Sequence, residues 1–307
     1  MRITQSMMTD RLLANLGKSQ ERLSRASEEM QTQKKLLKPS DDPVGAQLAV
    51  MTRGDLAAND KYSNNISQAR GFMQTAGSSL DEITKLLHRA RELTIQGANG
   101  ATGPEARQNI AAEIDQIVDA VKQAGNTNYA GVYIFGGTAT TTQPYDTMTI
   151  PAVDTYQGDN GVVAREIGPG VSVQINTLVN TGTPPLLGSG GGDGGLIDSL
   201  RNISAHLKSG LAADVTALGT SDLRALDDNL TTISKAQAVL GATVNRLDAA
   251  DDRLSSTKVA STQLLSDTED VDAATAYLNL STTQSVYEAA LKAGATIIQP
   301  SLLDFLS

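Results

Sequence analysis

Leu16-Gly17-Lys18-Ser19-Gln20-Glu21-Arg22-Leu23-Ser24-Arg25-Ala26-Ser27-Glu28-Glu29-Met30 is the stretch that decides the fold. Leu16, Leu23 and Met30 lie seven residues apart, and the same step reaches Leu37. A seven-residue apolar period marks one face of a helix that packs lengthwise against another helix. Leu240, Leu247 and Leu254 repeat the step near the other end of the chain. Like periods at both ends, with unlike sequence between, predict a chain that leaves and returns along one rod. The expected fold is mainly α: an elongated rod of long antiparallel helices formed by the N- and C-terminal regions, with a small β-rich insertion domain.

Composition suits that reading. A chain of 307 residues is long enough for about two domains. Aromatic residues make up 3% and tryptophan is absent, so the core must be built on Leu, Ile, Val and Ala. The net charge of −9 argues against nucleic acid, which demands concentrated Lys and Arg. The charge is also divided. Residues 1–40 carry eight Lys/Arg and four Asp/Glu, whereas residues 246–307 carry four and nine, as expected of ends that lie side by side. Cysteine is absent, which excludes disulfides and thiolate chemistry. No apolar run approaches the roughly 18 residues of a membrane span, and the opening residues hold no signal-peptide core. Membrane insertion is therefore not expected. Those rules alone would keep the chain in the cytosol, although an uncleaved export route would leave the same pattern.

Read in order, a first helix is expected from about Thr4 to Lys38, ended by Pro39. Ser40-Asp41-Asp42-Pro43 reads as a turn with an Asp cap and Pro at the first helical position of the next helix, which runs through Gln96. Gly97-Ala98-Asn99-Gly100 breaks it. A third helix begins near Pro104 and places Ile110, Ile114, Ile117, Val118 and Val121 on one side. The character changes at Tyr129 to Gly137, after which Thr, Gly, Pro and Val dominate to about Gly195. Within that stretch Ala164–Ile167, Gly168-Pro169-Gly170 and Val171–Ile175 read as strand, turn and strand, with a second turn at Asp159-Asn160-Gly161. Gly188 to Gly195 is a flexible return linker. Helical spacing resumes at Leu196, Leu200, Ile203 and Leu207, the longest helix runs from about Asp222 past Leu265, and Pro300 is expected to limit the last one. The domains are accordingly 1–42 with 256–307 (terminal coiled coil), 43–137 with 196–255 (helical bundle) and 138–195 (β-rich insertion with its Gly-rich linker).

The terminal seam is thin. Between its heptad residues stand Gln20, Ser27 and Lys34. Burying one Leu or Met contributes about 1.5–3 kcal/mol, while ordering each residue costs about 1–2 kcal/mol of backbone entropy. Isolated helices of this kind are marginal. Both termini are expected to be mobile in the monomer and to become helical on assembly.

Chemistry of other kinds is absent from the pattern. His88 and His206 sit in helical stretches without metal-ligand spacing, and no nucleophile, base and orienting group belong together, so no enzyme is predicted. Gly190-x-Gly192-x-x-Gly195 matches a dinucleotide fingerprint, but Pro184-Pro185 stands where the preceding buried strand should be, and no cofactor is expected. Asp41 and Asp42 read as turn and cap residues. The cluster Asp267, Glu269, Asp270 and Asp272 reads as a solvated helix face or a helix interruption rather than a cation site.

Several segments resemble the flagellin superfamily. Gln74-Thr75-Ala76, Leu80-Asp81-Glu82-Ile83 and Arg89-Ala90-Arg91-Glu92-Leu93-Thr94-Ile95-Gln96 are similar to its N-terminal helical segment, and Ala98-Asn99-Gly100 and the helix from Ala111 to Val118 continue the match. The likeness covers residues 1–137 and about 220–307. Three further stretches resemble the superfamily's hook–filament junction branch more than flagellin itself: Met1 to Met7, Tyr133-Ile134-Phe135-Gly136-Gly137-Thr138, and Ile298 to Leu306. The resemblance implies an extracellular, homo-oligomeric ring between hook and filament, with hook-associated protein 1 on one side and flagellin on the other. It also implies export through the flagellar type III apparatus without a cleaved signal peptide, and a chaperone bound to the C-terminal region. The assembly interface is assigned to Leu16, Leu23, Met30 and Leu37 and to Leu278, Leu291, Ile298 and Leu302. A flagellin, or an adhesin or glycan-binding module using residues 138–195, remains the alternative.

Overall fold

The computed structural model describes residues 5–145, 156–176, 185–188 and 194–303, with side chains for all of these except 5, 6, 8 and 296–303. Seven α-helices lie among them: α1 (Gln5–Thr32), α2 (Pro43–Ala98), α3 (Pro104–Gly125), α4 (Gly194–Ser209), α5 (Ala212–Ala217), α6 (Leu223–Glu269) and α7 (Ala273–Leu303). Two short antiparallel hairpins join them, β1 (Asn128–Tyr129) with β2 (Val132–Tyr133) and β3 (Ala164–Gly168) with β4 (Val171–Gln174). The chain divides into two compact units, Met1–Ala58 with Ser256–Ser307, and Asn59–Ser255.

Local chemistry explains the helix ends. The Asp42 carboxylate accepts the backbone N–H groups of Val44 and Gly45, both at 3.0 Å, and caps α2. The far end of α2 is closed by Arg107 of α3, whose guanidinium donates to the carbonyls of Gly97 at 3.1 Å and Asn99 at 3.3 Å. The Gly97 carbonyl, in the last turn, has no partner further along its own helix, and an almost buried arginine supplies one; the Asn99 carbonyl, just beyond the helix, also accepts the Thr102 N–H at 3.0 Å.

Two helix ends differ from the sequence expectation. α1 stops at Thr32 rather than Lys38, with Gln33 in the left-handed region at φ 56°. The chain gives up its last helical turn for pairing with a distant segment: Lys35 N–H donates to the Glu269 carbonyl at 2.7 Å and Val271 N–H to the Gln33 carbonyl at 3.0 Å. Leu37 therefore lies beyond α1. At the other terminus α7 continues past Pro300 to Leu303. Proline removes the backbone N–H that would bond four residues back, and the helix nevertheless extends three residues beyond that missing donor.

Within the unit 59–255, α2 and α6 run antiparallel. Asn59 donates to the Leu254 carbonyl at 2.9 Å, Arg70 reaches Asp248 at 2.8 Å and Asp251 at 3.2 Å, Gln237 donates to Asp81 at 2.6 Å, and Arg91 pairs with Asp227 at 2.8 Å. Numbers rise on one helix as they fall on the other. α3 folds back on α2 (Arg89 to Glu113 at 2.7 Å) and packs on α4. The apolar faces anticipated for both helices are inside: Ile110, Ile114, Ile117, Val118 and Val121 from α3, and Leu196, Leu200, Ile203 and Leu207 from α4. Leu247 and Leu254 are buried too, with Leu240 partly so. Among the described residues the scarce rings meet in two pairs: Phe72 with Tyr129 at 6.3 Å, edge-on, and a second pair near Phe135. Tyr145 and Tyr156 meet edge-on at 5.6 Å beside buried Phe135, and their hydroxyls donate to the carbonyls of Leu187 and Phe135.

This packing predicts unequal responses to truncation. Ile114→Ala, at a fully buried site, should lower the unfolding free energy by about 2–5 kcal/mol in chemical denaturation. Leu16→Ala, in the partly exposed seam of α1, should cost well under that and leave the transition of residues 59–255 in place.

Candidate assembly surface

The unit formed by the two termini is built differently. On α1 the sheltered positions are Leu12, Leu16, Ser19, Leu23, Ala26 and Met30, alternating by four and three residues. On α7 they are Ala276, Leu280, Thr283, Tyr287, Ala290 and Gly294, with the same alternation. That is the 3.5-residue period of two helices packed along their length. α1 packs on α7, Leu12 lies over Gly294, and the segment after α1 pairs with Asp270, so the two helices are antiparallel.

The seam is shallow. Among the described residues of this unit, the fully buried apolar side chains are Ala26, Ala49 and Ala276. Leu16, Leu23 and Met30 are half-buried. Bulkier apolar groups point outward: Leu278 is 64% exposed, Leu291 43%, Val44 77% and Met51 60%. Leu13, Val50, Tyr277 and Val286 are also exposed. Of the sequence-assigned interface residues, α1 thus contributes Leu16, Leu23 and Met30 to the stripe facing α7, while Leu278 stands on the far side of α7 from that stripe and Leu291 is exposed at its flank. Leu37 is half-buried in the link before α2. Ile298 and Leu302 fall in α7, but their side chains lie outside the described residues.

A polar cluster crosses the base of the seam. Glu269, the last residue of α6, is almost fully buried, and its carboxylate accepts from Lys34 Nζ at 2.8 Å and Arg53 at 2.6 Å. Burial pushes this carboxyl up, but the hydrogen bonds and charges of Lys34 and Arg53 outweigh burial and hold it below the usual carboxylate range. Lys35 Nζ donates to the Asp267 carbonyl at 2.6 Å. The helix is interrupted here, and Asp272 restarts it by accepting the Thr275 N–H at 2.9 Å. Asp41 accepts the Lys38 N–H at 3.0 Å and pairs with Arg25 at 3.1 Å, and the backbone bond from Lys38 leads in lowering its pKa. The acidic run thus marks a helix interruption, and Asp41 and Asp42 are turn and cap residues. The sequence had no means of showing that Arg53, sixteen or more residues from the heptad stretch on either side of the turn, would share Glu269 with Lys34.

The histidines stand elsewhere. His88 is exposed on α2. His206 Nδ1 lies 2.7 Å from the Asp222 carboxylate, where a π turn over Leu218–Asp222 brings that aspartate inside. Among the described residues no group of three or more His, Cys, Asp or Glu is placed to hold a metal ion, and no helix is long and apolar enough to cross a membrane. The Gly190–Gly192 part of the glycine pattern lies outside the described residues.

A helical frame made by both ends of a chain, with bulky apolar groups on its surface, is the arrangement found in structural proteins of the flagellin type. The family comparison agrees: residues 3–140 match the bacterial flagellin N-terminal helical region and residues 223–306 its C-terminal helical region. The chain belongs to the flagellin family. It is 26% identical over 286 residues to flagellar hook-associated protein 3 of Escherichia coli, covering 89% of each chain. It is 27% identical over 271 residues to the flagellin of Bacillus subtilis, covering 86% of this chain and 84% of that one. The crystal structure of Bacillus cereus FlgL superposes with a TM-score of 0.57 at 26% identity, covering 70% of this chain and 99% of that one.

The Glu269 cluster has a definite pH dependence. A carboxyl held below its unfolded value stabilises above the ordinary range near about 4.3, and that contribution is lost as the pH falls through the folded value. Amide protection at Lys35 and Val271 should therefore persist through the pH at which ordinary carboxylates protonate and fall only below it. In Glu269→Gln this acid step should vanish, as hydrogen exchange across pH would reveal.

Proposed function

We propose that this chain is a structural subunit of the bacterial flagellum that forms the junction ring joining the hook, through hook-associated protein 1, to the flagellin filament. One observation carries the reading: among the described apolar side chains of the terminal unit only alanines are buried, while Leu278, Leu291 and Met51 are left in water. Such a surface is completed by neighbouring copies, and similarity to hook-associated protein 3 over 89% of the chain supports the junction as the place. Residues 1–42 with 256–307 act as the assembly domain, 43–137 with 196–255 as its supporting bundle, and 138–195 as the outward insertion. Leu16, Leu23, Met30, Leu37, Leu278, Leu291, Ile298 and Leu302 form the subunit contacts. The role is mechanical, not catalytic. The chain is exported without a cleaved signal, escorted by a chaperone on its C-terminal region, and works outside the cell.

Leu23→Asp should leave residues 59–255 folded yet abolish motility and release flagellin into the medium. Normal filaments on that mutant would overturn the assignment. Antibody labelling in electron micrographs should give a single band between hook and filament. The 27% identity to a flagellin keeps filament subunit as the second reading. Added to filament seeds, a flagellin elongates without limit, whereas a junction subunit adds and stops.

A further inference from the structure

Both excursions of the chain through the terminal unit leave helical geometry at the same level. α1 ends at Thr32 and α6 ends at Glu269, and the residues just beyond them, Gln33–Lys35 and Glu269–Val271, lie side by side as a short antiparallel pair. Two backbone hydrogen bonds flank Lys34 and Asp270, at 2.7 and 3.0 Å. That pattern makes Lys34 and Asp270 a non-hydrogen-bonded pair, the position in an antiparallel ladder where facing residues come closest. The Glu269 carboxylate then ties Lys34 on one strand to Arg53 on α2. Beyond this level α1 and α7 lie side by side along the shallow seam, whose fully buried apolar side chains among the described residues are Ala26 and Ala276.

We propose that residues 33–35 and 269–271 form a latch that couples the ordering of the two terminal helices, so that α1 and α7 gain and lose structure as one unit. The physical reason is loop closure. Without the latch, α1 and α7 are separate tails that must find each other, and each alone presents too few apolar contacts to stay helical. With it, their bases are fixed within a few ångströms, and the seam closes from that point by adding one turn of each helix together. Glu269 is the positioning residue. Its charge answers two cations, Lys34 and Arg53; the other ionisable groups around it are Glu28 and Lys38, which line the same surface hollow. The inference concerns the isolated chain and does not depend on which flagellar lattice the subunit enters.

The chain has no cysteine, so a designed disulfide would be the sole one. Lys34→Cys with Asp270→Cys places two thiols at the closest-approach pair, a separation suited to a disulfide. Hydrogen exchange of the full-length monomer is compared before and after oxidation. The expected result is a rise in protection of about tenfold or more in both α1 and α7 on oxidation, with residues 59–255 unchanged. In the reduced protein, adding Glu269→Gln should lower protection in both helices, and in the oxidised protein it should have little effect, because the disulfide replaces the latch. Oxidation that protects one helix without the other, or neither, overturns the coupling.

Discussion

Arg70 bridging to Asp248 and Asp251, Asn59 donating to the Leu254 carbonyl and Arg91 pairing with Asp227 hold α2 against α6 in one antiparallel register. The rest of the chain depends on that register. It closes a loop of well over a hundred residues between the two helices. The entropic cost of closing a long loop grows only slowly with length, so the middle of the chain can carry hairpins and an insertion without loosening the frame. The exposed ion pairs themselves contribute little, about 0–1 kcal/mol each. They select the register, while Ile83, Leu87, Ile114, Leu200 and their neighbours provide the stabilisation.

The two units bury apolar surface in different ways. Residues 59–255 bury Leu, Ile and Val completely and close their aromatic corner with hydroxyl-to-carbonyl bonds. The terminal unit has the opposite character, with an alanine-lined seam and large apolar groups outside.

Much of this was legible in the residues. The heptads, the Asp42 cap, the Pro104 start, the β3–β4 hairpin and the apolar stripes of α3 and α4 all express short-range rules, in which side-chain spacing or a single polar atom acts within one turn or one strand. The errors were of another kind. α1 was expected to reach Lys38 because nothing nearby forbids helix there; it stops at Thr32 because Glu269 and Val271, more than two hundred residues away, offer backbone partners. The sparse aromatic content points away from ring packing, yet Tyr145 and Tyr156 meet at 5.6 Å.

The sequence by itself determined which segments are helices and which faces of them are apolar, because periodicity and capping are properties of neighbouring residues. It also determined that the ends carry opposite charge and a thin seam. Only the tertiary structure decided how those faces are used: that Leu23 turns toward α7 while Leu278 turns to water, and that Lys34 and Arg53 share the buried carboxylate of Glu269. Such outcomes depend on the relative rotation and register of helices far apart in the chain. A rotation of a fraction of a turn exchanges an inward face for an outward one without changing a single residue.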